Sequence, residues 1–380
     1  IAFACNLKYA TLTRRETQRI KSKKVSTDTN SSDMIDNSVN SRVGYAFRWD
    51  ESTAPALLYR VLAHGIEARI AAKSFSVKTH DNEIEQFAAG TVIIPAGLRH
   101  SHNWEDKLRQ LAAHLNIQLF ALASGLTPQG IDVGSPSMQV ASLPNVMLLG
   151  GLGMSQYEVG EIWHYLDTRL TVPTTIVDQD RFGRVNLSDF THIIIASGRY
   201  QGLSDKDLSA LKAWVRSGGV VIGTKRGAKF LTDNGLLEAS VLSKSAIDEQ
   251  FSSQVLHFAG QADHYAKKLV AGAVYETIVD TSHPLMFGIV ESAGAPNTHS
   301  NNAILPRFNS DYMVVNGLDM HFSVVAIYAI SRLRGGYIAE AMQDLIAQSS
   351  ASIAHPFGLG RVIGFAEDVN FRGYWRGTEK

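Results

Sequence analysis

Apolar residues in this chain fall into two patterns. Some form short continuous runs, the spacing of buried strands. Others recur every three or four positions, the spacing of amphipathic helices. From Val146 onward the two alternate four times. Val146–Leu149, Thr174–Val177, His192–Ala196 and Val220–Gly223 are strand-like. Between them, Val159, Ile162 and Leu166 mark one helical stripe, and Leu208, Leu211 and Val215 another. Ser204 and Asp207 have the spacing of a capping box ahead of the second stripe, and Gly218–Gly219 stops it. A further helix is predicted at Gly227–Asn234. This alternation predicts a doubly wound, flavodoxin-like, mostly parallel sheet over 145–380. After Leu242 the pattern is less regular; Ala351–His355 and Arg361–Phe365 read as a hairpin turning at Gly358–Gly360.

Upstream, a small α/β domain is expected over 42–125. Its predicted helices run from Thr53 to Ala63 and from Asn103 to Asn116, among strands such as Tyr45–Trp49 and Thr91–Pro95. Residues 1–25 read as a helical segment, 26–41 as a polar linker rich in Ser, Thr, Asn and Asp, and 126–144 as a Gly/Pro/Ser-rich connector.

Composition narrows the function classes. The 380 residues carry 36 Lys and Arg against 36 Asp and Glu, so no electrostatic signal for nucleic acid exists. The single cysteine, Cys5, excludes an intrachain disulfide and a multi-cysteine zinc cluster. No transmembrane segment is expected, because no apolar run approaches the ~20 residues that span a bilayer. The chain starts at Ile1 without a signal-peptide pattern and reads as a fragment or processed product.

Several blocks resemble the region downstream of the catalytic domain in large bacterial zinc carboxypeptidases of the carboxypeptidase A superfamily. They are Tyr45–Asp50, Gly90–Ala96, Gly125–Pro136, Gly160–Arg169, Asp280–Leu285 and Asn370–Thr378. From 146 onward the chain is similar to class I glutamine amidotransferases. The resemblance implies a non-catalytic accessory or scaffolding region of a secreted or periplasmic metallopeptidase-like protein. Its partners would be an upstream catalytic-like domain of the same polypeptide and a peptide or glycan. It implies no cofactor in this chain, with zinc held by the upstream domain.

Two His-x-x-Glu strings, His64–Glu67 and His80–Glu83, match the first half of a carboxypeptidase zinc site. The favoured reading is structural: His64 falls at a helix end, and His80 lies in a polar loop. His100 and His102 read as loop residues.

Amidotransferase chemistry needs a cysteine on a sharp strand-to-helix turn, with a histidine and a carboxylate. Val220–Ala228 has the spacing of that elbow, with Gly223 and Gly227 as its flanking glycines. Lys225 stands where the nucleophile would be, and an ammonium group does not replace a thiolate in acyl transfer. Asp368 and Asn370 fall near the places of the histidine and glutamate. No catalytic residue is therefore assigned. Lys225, Arg226, Arg199, Asp368 and Asn370 are the candidate ligand contacts. Lys225 and Asp368 form a structural ion pair in one reading. In another, Lys225 holds a small anionic ligand or peptide, helped by the following helix N-terminus; a cryptic hydrolase using Ser197 or scattered histidines is the third. The Gly150–Gly153 segment reads as a tight turn rather than a phosphate cradle. Phe371, Tyr374 and Trp375, with Arg372 and Arg376, read as core packing or a domain contact.

Overall fold

The computed structural model describes residues 39–242, 244–252, 257–289, 301–307, 315–317, 324–347 and 349–370. The expected helix over 1–25, Cys5, most of the polar linker and the aromatic segment after Asn370 lie outside these residues. Two compact units meet in sequence between Leu143 and Pro144.

The first unit holds strands β1 (Gly44–Phe47), β2 (Arg69–Ala71), β3 (Phe75–Lys78), β4 (Ile84–Phe87), β5 (Val92–Pro95), β6 (Phe120–Leu122), β7 (Gln129–Gly130) and β8 (Met138–Val140). Its helices are α1 (Ala54–Ala63) and α2 (Trp104–His114). A five-stranded sheet runs β6-β1-β5-β2-β8, antiparallel throughout, and a second sheet runs β4-β3-β7. Tyr45, Phe47, Val92 and Ile94 pack with Leu57, Val61, Leu108 and Ala112 of the helices. The alternate positions, Ala46 and Ile93, pack with Phe75 and Phe87 of the smaller sheet. Both faces are covered, so these strands read as continuous apolar runs. The stretch read as a connector supplies β7 and β8.

The second unit contains β9 (Val146–Gly150), β10 (Thr174–Asp178), β11 (His192–Ile195), β12 (Val220–Thr224), β13 (Ala239–Val241), β14 (Val270–Val279), β15 (Asn301–Arg307), β16 (Val315–Gly317), β17 (Val324–Ile338), β18 (Ser350–Phe357) and β19 (Gly360–Phe365). Its helices are α3 (Gln156–His164), α4 (Asp205–Arg216), α5 (Arg226–Asp233), α6 (Lys244–Gln250), α7 (Gln261–Ala266) and α8 (Glu340–Ile346). Both bonds of the Ser204–Asp207 capping box form at the start of α4.

The main sheet has nine strands in the order β10-β9-β11-β12-β19-β18-β17-β14-β15. Pairing is parallel from β10 to β19 and antiparallel from β19 to β15. This corrects the expected flavodoxin-like, mostly parallel, doubly wound sheet: the sheet is mixed. The reversal has a local cause. Phe357 pairs with Gly360 across a two-residue turn, and Gly358 takes φ +66°, so β18 must return antiparallel to β19. In the parallel half, α4 and α5 cover one face. A Cβ at Gly219 would lie 2.4 Å from the Trp214 ring, and one at Gly223 2.7 Å from the Ala228 nitrogen. Val159 of α3 lies against Gly150 on the opposite face.

Candidate functional site

The parallel strands end where β12 turns sharply into α5. Lys225 occupies that turn with φ 47° and ψ −113°, a conformation that L side chains rarely adopt. Its backbone N–H donates to the Phe365 carbonyl at 2.9 Å, which ties the turn to β19. The two flanking glycines are required by contact. A Cβ on Gly227 would lie 2.0 Å from the Ile195 carbonyl oxygen, and Gly223 faces the backbone of α5. The elbow expected from glycine spacing is thus the elbow that forms.

The Lys225 side chain turns to α3. Ser155 caps that helix by accepting from the Glu158 N–H. Glu158 is 9% exposed and shares the buried side of α3 with Val159 and Ile162. Its Oε1 accepts from Lys225 Nζ at 3.3 Å, and its Oε2 accepts from the Ser197 backbone N–H at 3.1 Å. The Ser197 hydroxyl in turn accepts from the Arg226 backbone N–H at 3.4 Å. Ser197 therefore serves as a strut between β11 and the elbow.

Asp368 follows β19 and is 5% exposed. Burial pushes its carboxyl above the ordinary carboxylate range. A side-chain hydrogen bond with Glu161 opposes that rise, the Glu158 charge adds to it, and the Asn370 N–H and Lys225 oppose it. The Asn370 N–H donates to Asp368 at 3.1 Å. Tyr200, also in the left-handed region at φ 51°, donates its hydroxyl to the Ala196 carbonyl at 2.6 Å and stacks on Phe230. Burial, then the Glu158 charge, raises its phenol above the ordinary value.

Of the five expected contacts, Lys225 and Asp368 come together with α3. The partner of Lys225 is Glu158, however, so the expected Lys225–Asp368 ion pair becomes a wider cluster. Asn370 contributes its backbone N–H. Arg226 and Arg199 are exposed, and the Arg199 N–H donates to the Gly153 carbonyl. That bond, together with Gly151 and Gly153 at φ 90° and 89°, makes Gly150–Gly153 a turn braced on its neighbours. Glu158, Glu161 and Tyr200 were missed as site residues. One signal was present: Glu158 sits beside Val159 and one turn before Ile162, on the buried stripe of its helix.

His64 and His100 have structural work. His64 Nδ1 bonds to the Arg60 carbonyl at 2.7 Å. His100 accepts from the Glu67 N–H through Nδ1 and reaches the Pro95 carbonyl through Nε2, so both ring nitrogens are occupied. His80 is exposed. Among the described residues, no group of three or more His, Cys, Asp and Glu could hold a metal ion. None of the described helices is long and apolar enough to cross a membrane.

No family model and no curated protein matches the chain. Solved structures do match in part. A β-galactosidase from Bacillus circulans sp. alkalophilus superposes with a TM-score of 0.32 at 12% identity, covering 60% of this chain and 29% of that one. For an exo-β-1,4-mannosidase from an Opitutaceae bacterium the values are 0.32, 13%, 61% and 33%. A ThuA-like protein from Bacteroides uniformis gives 0.33 at 10% identity, covering 62% of this chain and 86% of that one. The chain spans about a third of the length of the two glycosidases.

These findings correct the expected membership. The matched structures are of glycoside hydrolase and ThuA-like type, and the carboxypeptidase A and glutamine amidotransferase resemblances gain no support from any comparison. The accessory region of a zinc carboxypeptidase-like protein falls with them, as does the metallocarboxypeptidase parent. The quoted blocks are short segments, and segments of that length recur in unrelated chains.

Proposed function

We propose that the second unit is a small-ligand-binding module, with the ligand seated at the elbow over Lys225. One observation carries this reading. A non-glycine residue holds φ 47° at the elbow, and its side chain is led into a cluster of carboxyl groups rather than into water. Such backbone conformations cost ~1–3 kcal/mol and persist where the surrounding structure enforces them, which is most often at ligand sites. The ends of parallel strands are also where α/β sheets receive ligands.

The test is calorimetric titration of the full chain with small anions and neutral sugars, repeated on Lys225→Met. Binding of at least one compound, weakened at least tenfold in the variant, is expected. Binding that is unchanged in Lys225→Met places the ligand elsewhere and ends this reading.

A further inference from the structure

We draw no further inference here: the strongest candidate, the edge of the main sheet at β10 where Ile176 stands exposed, pairs only with β9 among the described residues, and nothing in the structure shows what covers it.

Discussion

Among the described residues, a polar centre in each unit can be compared, and the two are built on opposite plans. In the first unit, Ser41 donates to the Leu122 carbonyl at 2.6 Å and accepts from the Val43 and Gly44 N–H groups. Arg109 donates to the Tyr45 hydroxyl at 2.9 Å and to Asp106 at 3.2 Å. Ser41 thereby fixes backbone ends, while Arg109 ties a helix to a strand. In the second unit charged groups gather: Lys225 Nζ donates to Glu158, and buried Asp368 lies within reach of both. The first arrangement serves the fold. The second burdens it with a left-handed backbone at Lys225 and with like charges close together, which is the mark of a site shaped for something besides stability.

The contrast is broken most severely at Gly227. A methyl group there has no room beside the Ile195 carbonyl, so Gly227→Ala should destabilise the second unit by about 3 kcal/mol or more in chemical denaturation. Gly160→Ala, in α3 with open space around it, should instead be neutral or stabilising by up to ~1 kcal/mol. Equal effects would remove the steric case for the elbow.

Lys225→Met leaves Glu158 buried without its cation and should cost about 2 kcal/mol. Lys225→Gly should cost less, because it also relieves the backbone. A larger loss in the glycine variant would show that φ 47° is not strained. In the first unit, Ser41→Ala should cost about 1–2 kcal/mol through lost hydrogen bonds, without pH dependence.

The smallest effect separates the centres by titration. The folded-state pKa of Asp368 is raised, so the folded chain holds more protons than the unfolded chain above the ordinary carboxylate pKa. Stability from this group is greatest in acid and falls as pH rises through the raised value. Asp368→Asn should therefore gain on the wild type as pH increases, read as a difference in denaturation midpoint. His192 has the opposite sign: burial lowers its pKa, so its contribution is lost as pH falls through the ordinary histidine range.

The sequence exposed some of this well. Gly223 and Gly227 located the elbow because only glycine tolerates those close approaches. Ser204 and Asp207 located a helix start because a capping box is local chemistry. Glu158 and Glu161 stayed hidden for the converse reason. An acidic residue early in a helix ordinarily complements the helix dipole, and that reading masks the one local hint, the place of Glu158 one turn before Ile162. The mixed sheet stayed hidden because strand direction depends on long-range partners. A hairpin at Gly358 was readable, but its consequence for the other seven strands was not.

Order of synthesis follows from where β19 lies. A ribosome delivers β12 and the elbow first, and delivers β19 and Asp368 only after all of the intervening chain. The antiparallel strands, built from that intervening stretch, are available for pairing before the parallel sheet can close on β12. Until then Lys225 has no Phe365 carbonyl to brace it, so the nascent chain carries an unbraced elbow until β19 has emerged.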